Sequence, residues 1–188
     1  TYTGATTINE GTLLASAAGA LSSASAFSLA NVAGVILNMT AGNQTIASLA
    51  GGGTTGGTVS LGTRALTLGG DNTSTTYSGL ITGGGASGLT KVGSGTWAVT
   101  GNNNGYSGTT TSSAGGIQVS DANALGSGGI NMANNTTLQA GAAVTTANPI
   151  AIANAASVSF DTQALSWILS GAITGATNSA TKIGSGTL

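Results

Sequence analysis

The side chains able to do acid–base, nucleophilic or ionic chemistry in this chain are few enough to name one by one. Glu10, Asp71, Asp121 and Asp161 are the carboxylates and Arg64, Lys91 and Lys182 the cations, so 188 residues carry a net charge of −1, with no His and no Cys. Without imidazole or thiol there is no ordinary general base at neutral pH, no thiolate nucleophile, no disulfide and no usual zinc site. Asp71, Asp121 and Asp161 are separated by 50 and 40 residues. In a coiled chain that spacing is near an integral number of turns and would gather carboxylates on one face, as carbohydrate-active enzymes require. Solvated turn positions explain the same residues more simply.

Lys91 with Ser94, and Lys182 with Ser185, have the spacing of a Ser-Lys dyad, in which a deprotonated lysine activates the hydroxyl. Their recurrence argues against it, because an active site does not return with each repeat, whereas a Lys-x-Gly-x-Gly-Thr turn does. Such a turn would lay the lysine over the rim and use glycine for positive φ. Gly83-x-Gly85-x-x-Gly88 has the letters of a dinucleotide fingerprint but lacks the following helix that would hold a phosphate. Gly69-Gly70-Asp71-Asn72 has the form of a calcium-binding turn without its repeated Asp. Thr1-Tyr2-Thr3 and Thr109-Thr110-Thr111 are fragments of a threonine ladder of the kind that binds ice, at irregular spacing. Asn38, Asn43, Asn72 and Asn135 head Asn-x-Thr/Ser sequons, which carry little information in so Asn- and Thr-rich a chain. Trp97 could be a sugar-stacking platform, but Leu188 replaces it in the other copy of its segment, which favours an interior role. The expectation is therefore no catalytic, cofactor-binding or metal-binding residue and no cofactor; the sequence names no binding residue.

The elements that must position these groups follow from composition. With 33 Gly, 40% hydrophobic residues, 4% aromatic and 4% charged, the chain has no stock of large side chains for a thick core. The charge balance presents no basic field, so nucleic acid is not an expected partner. The best apolar run, Val32 to Met39, is far short of the roughly 20 residues of a membrane-spanning helix. Absence of cysteine fits an exported chain.

Self-comparison finds long-period repeats. Thr90-Lys91-Val92-Gly93-Ser94-Gly95-Thr96-Trp97 returns 91 residues later as Thr181-Lys182-Ile183-Gly184-Ser185-Gly186-Thr187-Leu188. Tyr2-Thr3-Gly4-Ala5-Thr6-Thr7 returns 104 residues later as Tyr106-Ser107-Gly108-Thr109-Thr110-Thr111. The chain thus reads as a single segment, 1–188, of repeat units 1–104 and 105–188, the second incomplete, taken from a longer array. Period-two alternation predicts short strands at Thr7–Leu13, Val35–Met39, Thr58–Leu61, Ala65–Leu68, Gly116–Val119, Thr136–Gln139, Ile150–Ile152, Val158–Phe160 and Trp167–Leu169. Leu89 to Thr100 also alternates, with Thr96–Thr100 its clearest part, and no ten-residue stretch has a helical period. Pro149 falls at a turn. A sandwich or barrel needs bulky inward residues; a β-solenoid, with its narrow interior, does not. At roughly 20 residues a coil and about 4.8 Å a step, the segment would hold about nine coils and rise about 45 Å.

Three stretches carry a family resemblance: Gly88-Leu-Thr-Lys-Val-Gly-Ser-Gly-Thr-Trp-Ala-Val-Thr-Gly-Asn-Asn103, Tyr106-Ser-Gly-Thr-Thr-Thr111 and Asp121-Ala-Asn-Ala-Leu-Gly-Ser-Gly-Gly129. They resemble the autotransporter-associated β-strand repeat of passenger regions in Gram-negative surface proteins, most strongly over 77–129 and again at 1–21 and 169–188. The resemblance implies an all-β, right-handed parallel β-helix exported through the outer membrane and followed downstream by a membrane barrel. The expected function is a structural or adhesive shaft at the cell surface or outside the cell, assembling into fibres or bundles because few like charges oppose packing. Expected partners are copies of itself and a glycan or protein receptor. The competing expectations are a carbohydrate-active β-helix enzyme and an ice- or glycan-binding adhesin.

Overall fold

The computed structural model describes residues 2–188 and is built of strands and turns, with no helix among them. The strands are short because Gly, Asn and Ser interrupt every apolar run after two to five residues. The first coil holds β1 (Thr6–Ile8) and β2 (Thr12–Ala15). Three full coils follow: β3 (Ala26–Leu29), β4 (Ile36–Met39) and β5 (Gln44–Thr45); β6 (Ser48–Gly51), β7 (Thr58–Ser60) and β8 (Ala65–Leu68); β9 (Thr75–Tyr77), β10 (Ile81–Thr82) and β11 (Gly88–Lys91). The fifth and sixth coils have two strands each, β12 (Thr96–Val99) with β13 (Thr109–Ser112), and β14 (Gly116–Val119) with β15 (Ile130–Met132). The chain finishes with β16 (Thr136–Ala140), β17 (Thr145–Thr146), β18 (Ile150–Ile152), β19 (Ser157–Asp161), β20 (Ile168–Leu169), β21 (Ile173–Thr174) and β22 (Ser179–Ile183).

All ladders are parallel, and they stack into three faces. Face 1 is the nine-stranded ladder from β1 to β22, which makes eight steps; face 3 is the seven-stranded ladder from β5 to β21. Face 2 is broken into β2–β4–β7–β10 and β17–β20, because coils five and six cross it as turns. This is the parallel β-solenoid expected from composition, with eight steps in place of nine. The difference is coil length: partners on face 1 are 20 residues apart at Thr96 and Gly116, 22 apart at Thr75 and Trp97, and 26 apart at Gly51 and Tyr77. The longest coil contains the loop between β6 and β7, where Asn31 Oδ1 accepts from the Thr55 amide at 2.9 Å and the Gly56 amide at 3.1 Å.

Inward residues form one-residue-wide columns along the axis. Trp97, Ile117, Leu138 and Phe160 stack on face 1, Leu37, Val59 and Ile81 on face 2, and Leu66, Leu89, Ile130 and Ile150 on face 3 with Thr110 between them. Every one of them is buried. A core this narrow needs one Leu, Ile or Val per face per coil, which is what a Gly- and Thr-rich chain can supply.

Two expected strands are corrected. Thr7–Leu13 is not continuous: β1 and β2 lie on different faces, separated by a turn in which Gly11 takes φ +65°. Leu89 to Thr100 is likewise two strands, β11 on face 3 and β12 on face 1, bent at Gly93 with φ +71°. Across Gly93 the alternation survives because the inward positions keep their phase, Leu89 and Lys91 before the bend and Trp97 and Val99 after it, so period alone does not reveal that bend; across Gly11 the phase shifts, from Thr6 and Ile8 inward to Leu13 and Ala15.

Glycines at corners bring neighbouring coils into contact. A Cβ on Gly128 would lie 1.8 Å from the Gly108 carbonyl oxygen, whereas one on Gly85 would meet nothing within 4 Å. Urea unfolding is expected to separate the two: Gly128→Ala should cost about 3 kcal/mol or more through backbone displacement, and Gly85→Ala should stay within about 0.5 kcal/mol of the parent. Equal effects would contradict this stacking.

Candidate functional site

The corner from face 1 to face 2 carries a concavity of about 500 Å³, running along the axis across coils three to six. Gly53 and Thr54 line it from the third coil, Ser78, Gly79 and Leu80 from the fourth, Thr100, Gly101 and Asn102 from the fifth, and Asp121 from the sixth. It exists because face 2 has no strand in coils five and six. The buried Asn103 replaces those strands: its Oδ1 accepts from the Ile81 amide at 2.7 Å and its Nδ2 donates to the Ala124 carbonyl at 2.6 Å, tying three coils together. The Tyr106 hydroxyl donates to the Thr109 carbonyl at 2.8 Å, and Asn148 Nδ2 donates to the carbonyls of Gly126 and Gly128 at 2.9 and 2.7 Å.

Within the groove the polar groups are ordered. The Thr100 hydroxyl donates to Ser78 Oγ at 2.7 Å, and the residues stack on consecutive coils because Tyr77 and Val99 are register partners. The floor is glycine by necessity, as a Cβ on Gly79 would lie 1.9 Å from the Gly57 carbonyl oxygen and one on Gly101 2.3 Å from that of Gly79. Beneath it, Tyr77 donates to the Gly57 carbonyl and, at 3.3 Å, to that of Leu80. Leu80 is 37% exposed and gives the groove an apolar wall. Asp121 Oδ1 accepts from the Asn123 amide at 2.8 Å, fixing the carboxylate at the groove end.

The three candidate carboxylates do not meet. Asp71 lies at the corner from face 3 to face 1 and accepts from the Thr73 amide and hydroxyl. Burial raises its carboxyl, but hydrogen bonds from Ser48 and Thr73 outweigh that and bring it below the usual value. Asp161 ends β19, in register through Gln139 with Gln118, two coils beyond the coil of Asp121, and accepts from the Gln163 amide at 2.8 Å. Of the three, only Asp121 reaches the groove. Among the described residues no group of three His, Cys, Asp or Glu side chains could hold a metal ion.

The lysine turn differs from expectation. Lys91 does not lie over a rim; it is 1% exposed, its stem inside the coil and its Nζ donating to the carbonyls of Val92 at 2.6 Å and Gly93 at 2.9 Å. The sharp bend at Gly93 turns these carbonyls inward, and the ammonium satisfies them. Burial pulls the Lys91 ammonium below its ordinary pKa, partly opposed by the charge of Asp71. Ser94 is held by Asn72 Oδ1, which accepts from its amide at 2.9 Å, so no Ser-Lys contact forms. Lys182 repeats the contact, donating to Gly184 at 2.9 Å. Trp97, 1% exposed, is a core residue and offers no stacking platform. Gly88 of the Gly83-x-Gly85-x-x-Gly88 segment opens strand β11, with no helix to hold a phosphate. Thr1 lies outside the described residues. Thr111 belongs to an in-register outward column on face 3, Thr45, Thr67, Thr90 and Thr111, continued by Asn131 and Ala151. Sequence reasoning missed both this column and the groove, since coils of 20 to 26 residues erase any fixed spacing between stacked residues. The run Asn102-Asn103-Asn104-Gly105, which breaks the strand pattern, was the available signal for the groove.

Residues 1–15 and 89–119 match the passenger-associated-transport-repeat family. The first match is the later half of the second, displaced by the repeat offset. Over 118 residues, 62% of the chain, there is 42% identity to the adhesin BmaC autotransporter of Brucella suis biovar 1 (strain 1330). Those two stretches are similar to the transport repeats of autotransporter passengers. The matched stretch is 3% of that adhesin's length. No solved structure matches the chain. Among the described residues no helix is long and apolar enough to cross a membrane.

The coils also bury two phenols, Tyr77 and Tyr106. Burial raises Tyr106 to about 12 and Tyr77 further still. A phenol whose folded pKa is raised contributes stability that is complete below its unfolded value, near 10, and is lost as pH climbs toward the folded value. Lys91, with its lowered folded pKa, acts in the opposite sense until its unfolded value is passed, so the net loss should be steepest above about pH 10.5. Urea unfolding between pH 9 and 12 is expected to show stability falling, and Tyr106→Phe should reduce the slope by up to about 1.4 kcal/mol per pH unit. A slope unchanged by that substitution would refute the assignment.

Proposed function

We propose that this segment is part of the shaft of an exported, adhesive passenger, displayed at the cell surface or released outside the cell. The observation that carries the reading is the likeness to an adhesin autotransporter in a chain whose described length is one uninterrupted backbone ladder. A ladder spanning eight steps at about 4.8 Å holds its ends roughly 38 Å apart without a disulfide. That is a spacer's work, and turnover is not part of this reading. Residues 1–104 and 105–188 are successive copies of one unit, the second incomplete.

Shafts associate side by side through face 3. Its outward column of Thr45, Thr67, Thr90, Thr111, Asn131 and Ala151, flanked by Ala65, Gly88, Thr109, Gly129 and Pro149, contains no charge. Small neutral side chains let two sheets approach closely and leave no like charge to oppose them. One rank of threonines beside small residues matches a lattice in a single direction only, so ice is the weaker partner.

Two measurements test these statements. Beads coated with the chain should be retained on cultured cell layers or immobilised cell-surface glycoproteins well above albumin-coated beads; equal retention would sink the adhesive role. Sedimentation of the chain over roughly 10–500 μM should show reversible self-association that Thr67→Lys with Thr111→Lys abolishes while the urea midpoint is unchanged. A monomer throughout that range would remove the side-by-side assembly.

A further inference from the structure

We propose that the corner groove binds a neutral, extended oligosaccharide lying parallel to the solenoid axis; this rests on the adhesive reading and names its ligand class. The first argument is pitch. Ser78 and Thr100 stand on consecutive coils with Asp121 on the next, so the coils that carry the groove's polar groups recur at about 4.8 Å, with the Ser78 and Thr100 hydroxyls drawn together to 2.7 Å. That is close to the length of one pyranose residue in an extended β-linked chain, so successive sugars would lie over successive coils, beside the Ser78–Thr100 hydroxyl pair and then beside Asp121.

The second argument is chemistry. Hydroxyls of Ser78 and Thr100 both donate and accept, the Asn102 amide does both, and the Asp121 carboxylate accepts from vicinal hydroxyls. Leu80, one of the few large apolar side chains exposed in this chain, can cover the C–H face of a sugar ring. The lining contains no cation and one carboxylate, which disfavours uronate and sialylated chains. The third is shape: glycines 79 and 101 are fixed by contact with the coil beneath, so the trough is rigid and cannot be filled by substitution without moving backbone. A preformed trough costs little ordering on binding.

The test is binding of cello-, xylo- and chito-oligosaccharides of two to five residues to the whole chain, by titration calorimetry and saturation-transfer NMR, with oligogalacturonate as the anionic comparison. At least one neutral series is expected to bind with affinity rising from two to three residues, and oligogalacturonate at least tenfold more weakly. Thr100→Val and Asp121→Asn should each weaken binding about five- to tenfold. Ser28→Ala, outward on face 1 and away from the groove, should change nothing, and the urea midpoints of all three variants guard against misfolding. Absence of binding of every neutral series at millimolar concentration, or binding indifferent to Thr100→Val and Asp121→Asn, overturns the proposal. Bead adhesion that persists with both groove variants, with no neutral sugar bound, leaves the shaft adhesive through a protein receptor elsewhere on its surface and overturns the groove.

Discussion

The interaction on which everything else depends is the backbone hydrogen bond from one coil to the next. In this chain it replaces nearly every other means of cohesion: there is no cysteine, and only seven charged residues are available. Each parallel pair keeps its register through the columns it positions, since a slip of one residue would turn Leu138 outward and Gln139 inward on face 1. Register and core are therefore a single constraint. The ladder fixes which residues stack, and the stacked Leu, Ile, Val and aromatic side chains penalise any other ladder.

Corners are where that constraint is hardest to meet, because the chain must turn without leaving amides and carbonyls unpaired in a narrow interior. The sequence meets it with polar side chains reaching one coil along. Asn43, Asn72 and Asn134 accept from the amides of Ala65, Ser94 and Ser157, between 22 and 23 residues on. Gln44 bonds the Leu21 amide and the Ala17 carbonyl in the same way. The abundance of Asn reflects this geometry: its short amide donates and accepts over the distance between adjacent coils. Lys91 is the cationic version, tolerated inside because its ammonium finds carbonyls at 2.6 and 2.9 Å and its methylene stem fills core volume.

Fold class was legible because composition and alternation both act at the level of a single coil. Scarcity of large side chains excluded thick cores, and strands such as Ala65–Leu68, Gly116–Val119 and Ile150–Ile152 announced themselves with apolar residues at every second position. Strands made of small or polar residues did not. Thr109–Ser112 faces the core with Thr110 and Ser112, and Gln44–Thr45 with Gln44, so their inward positions carry no hydrophobic mark. They are strands because neighbouring coils supply a ladder, on both sides for Thr109–Ser112 and on one for Gln44–Thr45. The groove was illegible for a related reason: Ser78, Thr100 and Asp121 are ordinary residues at unequal spacings, Asp121 one position past the residue that stacks on Thr100, and only the coiling brings them to one corner.

The repeats place one more restriction on how such a chain can be read. Residues 105–119 put their two strands, β13 and β14, on faces 3 and 1, whereas the matching residues 1–15 put β1 and β2 on faces 1 and 2. The same change occurs at the lysine turn: Lys91 precedes the bend from face 3 to face 1, while Lys182 lies in β22 on face 1, and its copy of the bend leads to Thr187, which bridges Ser166 beside β20. The motif therefore specifies a strand, a tight bend and a second strand, and any corner of the three-sided coil accepts it. Because the offsets of 91 and 104 residues are not whole numbers of coils of about 22, adjacent copies point their outward residues in different directions. A motif match locates a corner in such a shaft. Which face it builds, and what lies beside it on the surface, is decided by the lengths of all the coils before it.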